Sequence, residues 1–234
     1  LRTIAAHTDP SRHELLRTNE SDKVLVVLFS TDRGLAGGLN TNLFKAVEEL
    51  IAGKKIVFVT VGKKARDYAI KMGYTITAEF SGLPERLRFE DALPIAELMI
   101  STFLRGEVGE VYLVHMLFLS TLSQKAHVER LLPLTVQQIE RPEELVTSHA
   151  EYLFEPNPSM ILDHLLPYYV EIETYQTLLD GKASEHSARM VAMKNASDSA
   201  KEIVSELQLI YNKTRQAGIT RELIEITTSA LTLG

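Results

Sequence analysis

"MKNASDSAKEIVSELQLIYNKTRQAGITRELIEITTSAL" (193–231) is the stretch on which the fold turns. Met193, Ala196, Ala200, Ile203, Leu207, Ile210, Thr214, Ala217, Arg221, Ile224, Thr228 and Leu231 follow one another at alternating steps of three and four. That is the seam of a left-handed coiled coil. The seam is uneven. Ala196 and Ala200 are small enough for close helix approach, whereas Thr214, Arg221 and Thr228 are poor residues for a permanent core. Upstream, Asn157 offers an N-cap and Pro158 a first helical residue. From there to Gly234 one further proline, Pro167, is expected to kink or break the helix, and Gly181 and Gly218 are weak breakers. Beyond Pro167 about 65 residues at 1.5 Å each predict roughly 100 Å of helix. An amphipathic helix of that length draws its stability from a partner. No second long helix is legible in 1–157, so the partner either precedes Leu1 or comes from another chain.

Before residue 157 the pattern is different. "KVLVVLFS" (23–30) is a β-branched run typical of a strand buried on both faces. Helix spacing in 41–53, a strand over 54–61, a short helix over 62–73 and an alternating strand over 74–80 continue the pattern. A helix within 87–107 has Pro94 near its start, and strands at 110–121 and 127–136 lie close enough to form a hairpin. The predicted fold class is therefore α/β: a Rossmann-like mixed-sheet domain followed by a very long C-terminal helix. The domain plan is the end of an N-terminal helix and a connector over 1–22, the Rossmann-like α/β domain over 23–157 and the long C-terminal shaft helix over 158–234.

Composition removes several functions. The 234 residues contain no cysteine, so disulfides, thiolate nucleophiles and Cys-ligated metals are excluded. A net charge of −6 gives no electrostatic basis for nucleic-acid binding. No apolar run reaches the roughly 18 residues of a membrane span. The seven histidines are scattered without a metal-binding spacing, and His115 falls in a strand, where a packed or sheet-surface role is expected.

The turn "STDRGLAGGLN" (30–40) sits between a strand and a helix, where many α/β proteins hold phosphate. Its glycines do not fit the dinucleotide spacing, and Gly38 is followed by Leu39 and Asn40 rather than by Lys and a hydroxyl residue. Thr60 and Val61 stand where a ribose-binding carboxylate would be. The turn reads as structural, with Asp32 and Asn40 as local caps. Near the other end, Arg215, Gln216, Thr220, Arg221 and Glu222 crowd two helical turns, a donor and acceptor set suited to a polar loop of another chain.

Three segments, "STDRGLAGGLN", "KASEHSARMVAMKNASDSA" and "YNKTRQAGITRELIEITTSAL", together resemble the gamma subunit of F-type ATP synthase, of the bacterial or mitochondrial rather than the chloroplast kind. The resemblance covers essentially the whole chain. It implies a non-catalytic central-stalk rotor subunit that carries torque between a membrane c ring and catalytic sites on beta subunits. It also implies an N-terminal helix, antiparallel to the C-terminal one; this chain resembles the family from the end of that first helix onward. Implied partners are an alpha3beta3 hexamer, an epsilon subunit and the c ring, with no nucleic acid. No cofactor is expected on this chain; ATP, ADP and Mg would sit on the partner alpha and beta subunits. Carried over residue by residue, Arg215, Gln216, Thr220 and Glu222 would contact a beta-subunit loop. Met193, Ala196, Ala200, Ile203, Leu207 and Ile210 would form the shaft seam, Ile224 and Leu231 the tip inside the ring collar, and Tyr168 and Tyr175 the foot on the c ring. The location implied is the cytoplasmic face of a bacterial plasma membrane, ahead of the matrix face of a mitochondrial inner membrane. The chloroplast kind is set aside because its regulatory cysteine pair has no counterpart here. The rival readings are a static coiled-coil scaffold or adaptor and a small nucleotide-binding α/β enzyme.

Overall fold

The computed structural model describes residues 13–51, 53–135 and 158–232. Five strands, β1 (Lys23–Phe29), β2 (Lys55–Val61), β3 (Thr75–Phe80), β4 (Glu110–Ser120) and β5 (Ser123–Leu132), form one sheet in the order β3-β2-β1-β4-β5. The first four run parallel and β5 returns antiparallel to β4. Four α-helices accompany them: α1 (Leu39–Ile51), α2 (Lys63–Lys71), α3 (Leu93–Leu104) and α4 (Pro158–Thr232). The mixed sheet and the long terminal helix agree with the predicted fold class.

The central strand explains the layering. Every residue of β1 after Lys23 is buried, which requires cover on both faces. Leu25, Val27 and Phe29 point into a core shared with α3 and with Leu162, Leu166, Val170 and Leu178 of α4. Val24, Val26 and Leu28 point the other way, into a core with α1 and α2 residues such as Leu43, Val47 and Ala65. The period of two along one strand thus separates two helical layers.

One expectation holds with sharper bounds and two change. The helix expected within 87–107 begins at Leu93, after a short 3-10 turn at Phe89–Asp91; Pro94, lacking an N–H, belongs in the first helical turn. The second hairpin strand starts at Ser123 rather than 127. Ser120 pairs with Ser123, leaving a two-residue turn, and the polar start of β5 hid it from a hydrophobicity reading. Pro167 does not break α4, which runs unbroken through it. Leu162, Leu166 and Val170 are buried around it, so packing carries the helix across the missing hydrogen bond. The acceptor left over is the carbonyl of Asp163, an exposed residue that water can reach.

Packing divides the chain into two compact units, Leu1–Arg189 and Met190–Gly234. The first part of α4 therefore belongs with the α/β body. We call 162–189 the foot of the helix and 190–232 its shaft. Of the planned domains, 1–12 and 136–157 lie outside the described residues.

Candidate functional site

The Gly-rich turn lies at the carboxyl edge of the sheet, and its side chains are occupied by the fold. The first three N–H groups of α2 are all met by the residues that follow β1. Lys63 N donates to Asp32 Oδ1 at 2.9 Å, Lys64 N to the Thr31 carbonyl at 3.1 Å and Ala65 N to Ser30 Oγ at 2.6 Å. Gly82 N, beyond β3, donates to the other Asp32 oxygen at 3.1 Å. One carboxylate thus joins the ends of three parallel strands. The expectation of a local cap is corrected for Asp32, which caps the next helix rather than its own turn. It holds for Asn40, whose Nδ2 donates to Thr31 Oγ1 at 2.9 Å within the turn. A carboxylate at a helix N-terminus fills the place that attracts phosphate. Gly62 makes the close approach possible: its φ is +94°, and an added Cβ would stand 2.3 Å from the Ser30 carbonyl oxygen.

The foot of α4 crosses this edge. Ser184 Oγ donates to the Met116 carbonyl of β4 at 3.1 Å. Glu185 is paired with Arg189 at 2.6 Å. The connection from β3 to α3, residues 81–88, reaches the foot through Glu85, which lies 2.8 Å from His186 and 3.7 Å from Lys182. Tyr168 and Tyr175 flank Phe89, both edge-on, at 5.9 and 5.7 Å. The two residues assigned to a c-ring foot are thereby brought together around one ring, with Tyr168 exposed and Tyr175 partly buried.

Beside the foot is a cluster that the sequence did not reveal. His115 on β4 stands directly opposite His127 on β5, ring centroids 5.4 Å apart. His115 is buried and its Nδ1 has no hydrogen-bond partner. Burial, then the neighbouring His127, push its pKa down to about 4. Burial also raises Glu129 and Asp180 above the usual carboxylate range, with Glu173 adding repulsion at Glu129. A cross-strand pairing of 115 with 127 follows from the hairpin register, which depends on the misplaced start of β5. Among the described residues no three His, Asp or Glu side chains converge on a metal position. No described helix is long and apolar enough to cross a membrane.

The shaft presents its whole predicted seam to solvent. Met193, Ile203, Leu207, Ile210, Ile224 and Leu231 are exposed, as are Ala196 and Ala200. Arg215, Gln216, Thr220 and Glu222 are exposed on the same two turns. Thr214 Oγ1 and Thr228 Oγ1 each donate to the carbonyl four residues back, at 2.9 and 2.7 Å. Their hydroxyls are satisfied within the helix, so these threonines can offer a methyl to a partner without burying a free polar group. A second apolar row, Ile219, Leu223 and Ile226, is exposed at the same three-and-four spacing. It was legible in the sequence but lies off the seam first traced.

The family model described as ATP synthase matches residues 1–233. The ATP synthase gamma chain of Glaesserella parasuis is 43% identical over 232 residues, covering 97% of this chain and 80% of that one. The chain belongs to the ATP synthase gamma chain family. The gamma chain of Heliobacterium modesticaldum is 42% identical over 237 residues, covering all of this chain and 81% of its own. Among solved structures, a chain of the Euglena gracilis mitochondrial ATP synthase (OSCP/F1/c-ring, rotational state 3) superposes with a TM-score of 0.70. It is 20% identical, with 99% of this chain and 84% of that chain covered. A chain of the Tetrahymena thermophila central stalk and c ring gives 0.64 at 20% identity, over 84% of this chain and 85% of that one. At that identity the likeness is one of fold: the mixed sheet followed by a long helix is the gamma-chain arrangement.

Proposed function

We propose that this gamma chain is the central-stalk rotor subunit of a proton-translocating F-type ATP synthase, carrying torque between a membrane c ring and the catalytic sites of beta subunits. The observation that carries the reading is a single helix of 75 residues, on a gamma-family chain, whose shaft leaves its apolar seam uncovered. Such a seam needs partners, and Arg215, Gln216, Thr220 and Glu222 give it a polar grip on a beta-subunit loop that can be made and broken. Ile224 and Leu231 would run in the collar of an alpha3beta3 hexamer, and Tyr168 and Tyr175 would face the c ring, with epsilon beside the body. The chain would bind no cofactor of its own: ATP, ADP and Mg would lie on the partner subunits, and the turn that resembles a phosphate loop is engaged by Asp32 and Asn40. It would act as a non-catalytic subunit whose contacts differ at each neighbour, coupling distant sites through discrete states. The complex would hold it peripherally at the cytoplasmic face of a bacterial plasma membrane.

The test is the double variant Arg215→Ala, Gln216→Ala in the assembled complex. Loss of charge-assisted contacts should lower ATP-driven proton pumping by about tenfold. Pumping at the wild-type rate would remove these two residues from the coupling contact. A crosslink between 215–222 and a beta subunit should stop turnover, and full coupled turnover despite a proven crosslink would sink the rotary reading.

A further inference from the structure

The amino edge of the sheet, where β1, β2 and β4 begin and β5 ends, carries a groove of about 310 Å³. Thr18, Lys23, Lys54, Glu110, Arg130 and Pro133 are among its walls. One wall is the connection into β1, and short polar side chains pin it. Asn19 Nδ2 donates to the carbonyls of Phe103 and Val108 at 2.7 and 3.1 Å, and Ser21 Oγ to that of Glu107 at 3.1 Å. Gly109 lets this connection lie against the start of β4: an added Cβ would stand 2.1 Å from the Ser21 carbonyl oxygen.

Charge at this edge is one-sided. Four cations, Lys23, Lys54, Lys55 and Arg130, share two carboxylates, Asp22 and Glu110. Lys55 pairs with Asp22. Glu110 is divided between Lys54 and Arg130 and stands 3.5 Å from each, whereas a charge-assisted hydrogen bond closes to about 2.7–2.9 Å. Tyr112 holds Lys54 in place: Nζ lies 4.7 Å from the ring centroid and 3.4 Å from the hydroxyl. The ammonium is thus oriented before any ligand arrives. The helices that end at this edge do not cancel the excess, because their last carbonyls are met by backbone donors. Ile51 of α1 accepts from the N–H of Lys54, and Ser101, Thr102 and Phe103 of α3 accept from those of Arg105, Glu107 and Gly106.

The surplus is two positive charges. A phosphate group bearing about −1.5 to −2 at pH 7 answers it; a carboxylate answers half, and an uncharged ligand none. Room is ample, since a cavity of about 150 Å³ already holds a benzene ring. We propose that this groove binds a phosphate group, free or as a monoester, its oxygens bridging Lys54 and Arg130 with Lys23 at the rim. The ligand competes with Glu110 alone and leaves the bonds of Asn19 and Ser21 intact. The site lies at the opposite edge of the sheet from the 30–40 turn and stands independently of the rotor reading.

The experiment is a titration of the ¹⁵N-labelled chain with inorganic phosphate, followed by amide NMR, with acetate as the singly charged comparator. Saturable shifts are expected around Thr18, Lys54 and Gly109, with a dissociation constant on the order of 1 mM. Acetate should bind about tenfold more weakly, and high salt should weaken both. Lys54→Gln should weaken phosphate binding about tenfold, whereas Glu110→Gln, which removes the competing carboxylate, should tighten it about threefold. A tightening is a result that damaged folding does not produce. Sedimentation with phosphatidylcholine vesicles containing phosphatidic acid separates the sources. Co-sedimentation that Lys54→Gln abolishes would make a lipid headgroup the ligand; saturable phosphate shifts without it would make the ligand a free phosphate. Neither response, shifts that grow without saturating, or affinities unchanged in both variants would overturn the proposal. So would Glu110→Gln weakening phosphate binding as Lys54→Gln does.

Discussion

Leu166 and Leu207 are leucines in the same helix, yet Leu166 is fully buried and Leu207 is 58% exposed. In the foot, positions 162, 166, 170, 174, 177, 181 and 184 make one inner face that closes the sheet's core. In the shaft the same periodicity continues with nothing of the described chain against it. Helical period alone therefore does not report burial; what differs is whether the chain carries the opposing surface. The foot is stabilised within the body, and the shaft depends on what covers it.

The largest effect should separate the two leucines. Leu166→Ala removes a fully buried side chain and is expected to cost about 3 kcal/mol in denaturant unfolding of the chain. Leu207→Ala should change that stability by no more than about 0.5 kcal/mol. In the assembled complex the second variant should become costly. If Leu207→Ala were as damaging as Leu166→Ala in the chain alone, the shaft would already be covered, by self-association, and the contrast would fail.

Acid should act next, and on the side of the foot. His115 has an ordinary value of 6.5 and is held near 4 in the fold by burial and His127. The folded state thus resists a proton that the unfolded chain accepts. Stability is complete above pH 6.5 and falls as pH drops towards 4, by about 3 kcal/mol in all. Glu129 and Asp180 are shifted upwards, so their contribution has the opposite sense: it is present at low pH and is lost as pH rises through their folded values. The difference between the parent and His115→Leu isolates the histidine. Parallel stability profiles between pH 6.5 and 4 would show that His115 takes up its proton without cost.

Much of this was legible before any coordinates. The β-branched run 23–30 announced a central strand because only a strand covered on both faces carries six successive apolar residues. The length of α4 was legible because few breakers interrupt the period. What escaped depended on tertiary contact. Pro167 looked like a helix breaker, and the burial of Leu166 and Val170 overrode it. Asp32 looked like a cap for its own turn, and only the parallel register places it beneath α2. The His115–His127 pair needed a hairpin register that polar residues at 123–125 concealed. For the shaft, residues 193–210 and Arg215, Gln216, Thr220 and Glu222 are exposed, and the resemblance, not the geometry, assigns them a partner.

The smallest effect tests what holds the foot. Glu85 grips His186 at 2.8 Å and Lys182 at 3.7 Å, a geometry that invites the idea of an ionic latch between the 81–88 connection and α4. Glu85 is 74% exposed, however, and exposed pairs gain little over water. Glu85→Ala should therefore cost only about 0.5 kcal/mol, less in high salt. A double-mutant cycle with His186→Ala gives the coupling directly. A value above about 1.5 kcal/mol would mean that charge, and not the apolar face running through Leu162, Leu166 and Val170, seats the helix on the body. The foot would then share with the shaft a dependence on polar contacts that its burial otherwise makes unnecessary.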